Sequence, residues 1–406
     1  MPFREIGRVE QRVGLFCDYD TGVWTVSELC RAYGVSRETF YVLRARRASG
    51  DPAWFCERSH AVASCPHRTS AAIAEAVVAT KRRFVRFGPK KVKAWLDRME
   101  PGTTWPAAST IGDILKREGL VETRSRRRRG RELGRVETAA DAPNAEWACD
   151  FKGWFRTLDG RRCDPLTITD TATRYLIEVR ITEPTTKGVI PVFERAFAEH
   201  GLPQAIRCDN GTPFGSQAAG GLTRLSVWWL KLGVQPHFIR PASPQDNGRH
   251  ERMHRTLKDD TAKPPSASLA EQQARFDVFR AHYNGERPHE AIDQQPPSTL
   301  WTPSPRPMPE RLLEPWYDPD HQVRRVRTNG EIKWNGEHVF LSEPLIGESV
   351  GLAETPGGVH IVRFFDIDLG VIDRQGRFRR FAPLRHRLRY APETPPQQYV
   401  SAISPV

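Results

Sequence analysis

Three acidic side chains out of the 49 aspartates and glutamates stand where they could do chemistry. Asp150 lies in Trp147-Ala148-Cys149-Asp150-Phe151-Lys152, a run that reads as a strand. A carboxylate in an otherwise apolar strand is costly to bury unless it is paired or holds a cation. Asp209 ends a second such run, Ile206-Arg207-Cys208-Asp209, and the Asn210-Gly211 that follows is turn chemistry at a strand end, where ligands commonly collect. Glu251 belongs to a helix on which Asn247, Glu251, Arg255 and Lys258 recur at i, i+4, i+8 and i+11, with His254 beside them. One acid among basic groups on a single face suits an oxygen ligand for a divalent cation next to bound phosphates. Hard oxygen donors select Mg²⁺ or Mn²⁺ over zinc. Taken singly, Asp209 reads as a turn cap and Glu251 as part of a salt-bridged surface helix. Pro244-Gln245-Asp246-Asn247-Gly248 is unusually specific turn chemistry for a mere surface helix. Cys149 and Cys208 directly precede the two aspartates, so strand alternation turns them the other way, into the core.

These residues need a scaffold, and the pattern from about residue 144 supplies one. Strands are predicted over 147–151, 164–170, 175–181, 205–209 and 236–240, and helices over 185–200, 222–232, 246–258 and 269–284. Three strands followed by alternating helix and strand predict a mixed α/β sheet flanked by helices. Beyond the proline-rich stretch 295–308, short strands at 331–341, 349–354, 359–364 and 368–373 are broken at Asn335-Gly336 and Pro356-Gly357-Gly358. That spacing predicts a small all-β barrel.

Ahead of this core the chain reads as two all-α units. In the first, a helix from Val26 to Tyr33, a break at Gly34 and a basic helix from Arg37 to Arg47 opened by Ser36 form a helix-turn-helix pattern. Arg37, Arg44, Arg46 and Arg47 on its second helix are candidate DNA contacts. The second unit places helices over 70–85, 90–99 and 106–118, with Ser109 and Thr110 opening the third and offered to DNA in the same way. Between residues 121 and 135 lie seven arginines against two glutamates. So dense a run repels itself, stays extended and binds phosphates without reading bases. Arg126, Arg127, Arg128 and Arg129 at its centre are therefore further candidate DNA contacts. The expected organisation is helix-turn-helix units at 1–60 and 66–120, a basic linker at 121–140, a core at 141–305, a barrel at 325–385 and a tail at 386–406.

The whole composition fits a polyanionic partner. Its 406 residues carry 61 Lys and Arg against 49 acids, a net charge of +12, which points to nucleic acid. No apolar stretch approaches the roughly 20 residues of a membrane span, and the first residues lack the apolar core of a secretory signal. Seven cysteines, an odd and modest number, argue against a disulfide framework and favour a reducing compartment, the cytoplasm. Cys56, His60, Cys65 and His67 lie close together, but their spacing matches none of the usual zinc patterns, and the segment reads as a loop.

Together, WACDFKG at 147–153, RCDNGTPF at 207–214 and SPQDNGRHERMHRTLK at 243–258 resemble the catalytic core of bacterial insertion-sequence transposases. That group has an integrase-type, ribonuclease H-like fold and a DDE triad. HYNGERPHEAI at 282–292 is similar to the segment that closes the core. The resemblance implies that Asp150, Asp209 and Glu251 are the three metal-binding carboxylates. It implies two Mg²⁺ or Mn²⁺ ions, cleavage at transposon ends in double-stranded DNA, and joining to target DNA. Asn247, His254, Arg255 and Lys258 would hold DNA, in at least a dimer. The 41 residues between Asp209 and Glu251 exceed what the resemblance leads one to expect, and the surplus maps to Gly215–Leu225, read as a surface excursion. A non-catalytic DNA-binding regulator and a metal-dependent nuclease of the same fold are the alternative readings.

Overall fold

Thr25 and Ser36 open two helices near the start of the chain. Each ends in a side-chain oxygen that accepts from the backbone N–H three residues on, which caps a helix. In a computed structural model, which describes residues 7–58, 68–121, 141–239 and 248–381, these caps open α2 (Val26–Ala32) and α3 (Arg37–Ala48). Gly34 sits between them at φ +65°, a left-handed conformation that glycine adopts without steric cost. A helix not expected from the sequence, α1 (Arg8–Asp20), precedes them. Its Leu15 and Phe16 join Leu29, Cys30, Phe40 and Leu43 in a separate core. The chain divides into two compact units, residues 1–70 and 71–406.

The second helical unit belongs with the larger of the two. Its helices α4 (Ala71–Arg83), α5 (Pro89–Met99) and α6 (Ala108–Arg117) enclose Val77, Phe87, Val92, Leu96, Ile111 and Leu115. Several residues singled out in the sequence lie outside the described ones. They are His60, Cys65 and His67, the linker arginines Arg126, Arg127, Arg128 and Arg129, Asn247, and the 386–406 tail.

Alternation then builds the central sheet. Its strands are β1 (Glu146–Phe151), β4 (Pro165–Asp170), β5 (Leu176–Ile181), β6 (Ala205–Cys208) and β7 (Gln235–Phe238), in the order β5-β4-β1-β6-β7. A small hairpin, β2 (Phe155–Arg156) with β3 (Arg162–Cys163), interrupts the sequence between β1 and β4. The first three sheet strands pair antiparallel, while β6 and β7 join parallel. This is the mixed α/β sheet that the sequence pattern predicted. Trp147, Cys149, Ile168, Ile206 and Cys208 face α7 (Thr186–His200) and α8 (Arg224–Lys231) across one core. Over the opposite face lie α9 (Gly248–Thr261) and α10 (Leu269–Gly285), which contribute Met253, Leu257, Phe276 and Phe279 to a second core.

The tail is all-β. Strands β8 (Gln322–Arg325), β11 (Ser349–Glu354), β12 (His360–Phe364), β13 (Ile367–Ile372) and β14 (Phe378–Arg380) pair in the order β14-β13-β12-β11-β8. A separate hairpin of β9 (Glu331–Trp334) and β10 (Glu337–Phe340) turns at Asn335-Gly336. Among the described residues this is an open antiparallel sheet with a hairpin, where the sequence pattern predicted a barrel. Its apolar side is covered in two ways, by Ile332, Trp334 and Val339 of the hairpin and by Val227 and Leu230 of α8.

The segment 215–225 departs from expectation. Instead of looping into solvent, Ala219 to Leu222 are buried, and Ala219 and Leu222 join the same apolar cluster as Leu369. Gly220 and Gly221 take φ +68° and +76°, and a Cβ on Gly220 would lie 3.1 Å from Leu369 Cδ2. The surplus residues are a buried wedge between the core and the tail sheet, because their small side chains admit close backbone approach.

Candidate active site

On β1, side chains 146, 148 and 150 share one face, and pairing carries that face across the sheet. Asp150 stands opposite Thr167 on β4, and Ala148 opposite Arg207 on β6. Two residues beyond Arg207, Asp209 follows the last residue of β6, so both aspartates collect at the same strand ends. The turn after it is tied down: Gly211 N–H donates to Asp209 Oδ1 at 3.2 Å, and Asn210 Nδ2 donates to the Ile239 carbonyl at 2.8 Å. Cys149 and Cys208 face the opposite core, each 1% exposed, and burial beside Cys208 pushes the Cys149 thiol up. Neither belongs to the site.

Helix α9 crosses this face and is fastened to it by histidines. His250 Nε2 and His254 Nε2 lie 2.6 and 2.7 Å from Thr167 Oγ1, whose hydroxyl also reaches the Asp150 carbonyl at 3.0 Å. One hydroxyl has one proton. Donated to the carbonyl, it leaves the oxygen to accept from both Nε2–H groups, which fixes both tautomers. His250 Nδ1 then accepts from Thr169 Oγ1 at 3.1 Å. Burial, with Arg207 nearby, pushes His250 down to about 3, and burial with His250 and Lys152 holds His254 well below its ordinary value. Both rings are neutral.

His254 therefore cannot be the DNA contact the sequence reading made it: it is 7% exposed and turned into the sheet. The reason is the register of α9, in which His250 and His254 make the inner stripe and Glu251, Arg255 and Lys258 the outer one. Nothing in the i+4 arithmetic alone told the inner stripe from the outer.

The three acids act on one another. Asp150 is pushed up to about 7, first by burial, next by the charge of Asp209, with Glu251 adding to it. Burial also raises Asp209, against the pull of the Gly211 N–H. Concentrating negative charge on hard oxygens is what a divalent cation relieves, so the donor set fits such an ion. Among the described residues, the tightest trio of ligand atoms, all within 4.8 Å, is instead Asp318, Asp320 and His321 in the stretch before β8. The site acids form a more open set. Lys152, two residues past Asp150, was not marked by the sequence pattern; burial and the Lys258 charge lower its amine while Asp150 raises it. The strand alternation that set aside Cys149 would have found it.

The other sequence candidates fall elsewhere. Arg37 and Arg44 are exposed on α3, with Arg44 5.5 Å from the Tyr41 ring centre. Arg46 is half-buried, and Arg47 is clamped by Asp20 through bonds of 2.8 and 2.6 Å. Ser109 is exposed and Thr110 half-buried in the first turn of α6.

Comparison with known proteins meets this geometry from outside. The integrase core domain family matches residues 140–244 and, as a second integrase core family, 232–297. These stretches contain all three acids. Residues 140–297 carry an integrase core domain. A 39.2 kDa protein of insertion element IS476 from Xanthomonas euvesicatoria is 29% identical over 189 residues, 45% of this chain and 52% of that one. A 31.7 kDa protein of insertion element IS407 from Burkholderia multivorans is 29% identical over 237 residues, 57% of this chain and 82% of its own. The chain thus spans about half the length of the first of these relatives. Of solved structures, the HTLV-2 integrase catalytic core domain in complex with magnesium is 17% identical, covering 39% of this chain and 97% of that one, with a TM-score of 0.32. No described helix is long and apolar enough to cross a membrane.

Proposed function

We propose that this integrase-core chain is a DNA transposase, which cuts 3′ ends of its insertion element and joins them to target DNA. The observation that carries the reading is that Asp209 and Glu251 lie close enough to Asp150 for their charges to raise its carboxyl. Asp150, Asp209 and Glu251 would hold Mg²⁺ or Mn²⁺, two ions in this reading. Bound there, the metal supplies activation of the attacking oxygen and stabilisation of the leaving one in an in-line displacement at phosphorus.

The protein's own residues do the positioning. The Thr167 hydroxyl, with His250 and His254, holds α9 against the sheet and so keeps Glu251 near Asp150. Lys152, Arg255 and Lys258 hold phosphate oxygens beside the acids. With water as nucleophile, one P–O bond forms and the P–O3′ bond breaks, leaving a free 3′-OH. With that hydroxyl as nucleophile, the same exchange joins the end to target DNA. No covalent enzyme intermediate is needed.

The helical units 1–60 and 66–120 read the ends, the linker arginines Arg126, Arg127, Arg128 and Arg129 add sequence-independent phosphate contacts, and pairing two ends requires at least a dimer acting on double-stranded DNA in the cytoplasm. A strand-transfer assay on labelled DNA from the borders of the coding gene, with Mg²⁺ or Mn²⁺, tests this. Joined products from the wild type and none from Asp209→Asn are expected. Joining that persists in Asp209→Asn sinks the assignment, and metal-dependent nicking without joining makes the protein a nuclease.

A further inference from the structure

Beyond Glu251 on α9 a second site opens that shares only Arg255 with the chemistry above. A cavity of about 320 Å³ lies between α5, α9 and the turn after α10, lined by Lys91, Arg174, Arg252, Arg255, Arg287 and His289 among others. Five of these six are cations. The one carboxylate on the wall, Glu290, already meets Lys90 Nζ at 2.9 Å. Among the described residues no carboxylate lies within ion-pair distance of Lys91 or Arg287, although both are partly buried.

Two cations such as Lys91 and Arg287, drawn together out of water with no ion-paired carboxylate, are expensive. Lys91 shows the strain: burial and the Arg287 charge push its amine down to about 7, against weaker support from Glu290 and Asp260. Burial lowers Arg287 as well. His289 is pushed down to about 3 by burial and the Lys91 and Arg287 charges, so its ring is neutral. Its buried Nε2 has no partner among the described residues. A ring nitrogen without a partner beside Lys91 and Arg287, neither within ion-pair distance of a carboxylate, is a set of groups arranged for an anion.

We propose that this cavity is a phosphate site that grips the DNA backbone beside the scissile position, with Lys91 and Arg287 as its inner cations. It rests on the transposase reading and deepens it. Glu251 and Arg255 are four residues apart on one face, a rise of about 6 Å. At about 3.4 Å per nucleotide along one strand, that is about two nucleotides. The phosphate it takes is therefore a near neighbour of the one held by the acids. The site also gives the segment HYNGERPHEAI a role, since Arg287 and His289 come from it, and it enlists α5 of the second helical unit through Lys91.

The experiment uses the full chain carrying Asp209→Asn, to prevent cleavage, and inorganic phosphate as the first probe. Phosphate should raise the melting temperature above that in sodium chloride of equal ionic strength. In Lys91→Met, which keeps the apolar stem and removes the charge, the melting temperature without phosphate should be equal or higher and the phosphate-specific rise lost. Arg174→Gln should lose part of the rise and serves as the second variant. With duplex DNA, Lys91→Met should weaken binding about tenfold and reduce the slope of log affinity against log salt by about one. An equal phosphate response in wild type and both variants, or an unchanged salt slope, overturns the site. Neither readout depends on catalysis: phosphate binding without any strand transfer by the unsubstituted protein would sink the transposase reading alone.

Discussion

Asp150 illustrates how a single residue can oppose the fold that carries it. Its carboxyl ionises near 7 in the folded chain against about 3.9 when unfolded. Between those values the folded state keeps a proton that the unfolded state has released, so stability is lost as pH rises through the window and the whole penalty applies above 7. The ceiling is ~4 kcal/mol for the metal-free protein. Asp150→Asn removes the penalty, so its melting temperature should exceed that of wild type by several degrees at pH 8 and by little at pH 4. Magnesium should raise the wild-type value at pH 8 and leave the variant unmoved. Thermal scans at the two pH values decide it, and an equal shift at both would contradict the account. The inactive variant is thus expected to be the more stable protein, as when an active site holds charge at the expense of stability.

Among the elements, α8 does the most joining. Leu225 and Trp229 enter the core beneath the central sheet, while Val227 and Leu230 enter the cluster shared with the tail sheet. The wedge ahead of it, Ala219 to Leu222, extends that contact. Gly220→Ala should therefore destabilise the chain by about 1 to 2 kcal/mol, the cost of an L-residue in the left-handed region, with Leu369 yielding to the new methyl. Chemical denaturation measures it, and an unchanged midpoint would return the segment to the status of a surface loop. Strands and helices of the core were legible because apolar periodicity marks them within about three residues, most closely at β5 and α10. The wedge was not, because glycine and alanine carry no hydrophobic pattern, and what buries them is a sheet more than a hundred residues further on. The places of the three acids at strand ends and on a helix were legible; Lys152 and His250 were not singled out, and His254 was read as facing DNA, because which helix stripe faces inward is fixed by tertiary packing. Helix α1, with mostly polar residues and two buried side chains, gave little signal to read.

For the whole molecule, the two helical units that look alike in sequence are joined to it differently. Residues 1–70 form a compact unit around their own core of Leu15, Phe16, Leu29, Phe40 and Leu43. Residues 71–121 instead lie within the larger unit. Arg83 meets Glu286 at 3.0 Å, Arg86 meets Asp259 and Asp260, and the Phe84 ring stacks on His282 at 5.2 Å. Exposed ion pairs contribute about 1 kcal/mol or less each, so the aromatic contact and the closure of the Lys91 cavity matter more. Removing residues 1–70 should then leave the melting of the remainder within a few degrees of the full chain. Removing 1–120 should lower it further, because it strips the cover from Phe279 and His282 and opens the phosphate cavity along α9. In DNA binding the shorter truncation should lose part of the end preference and keep the salt slope, whereas the longer one should lose both. Calorimetry and anisotropy titrations on the two truncations separate these outcomes. Identical melting for both would mean that the second unit, like the first, stands on its own.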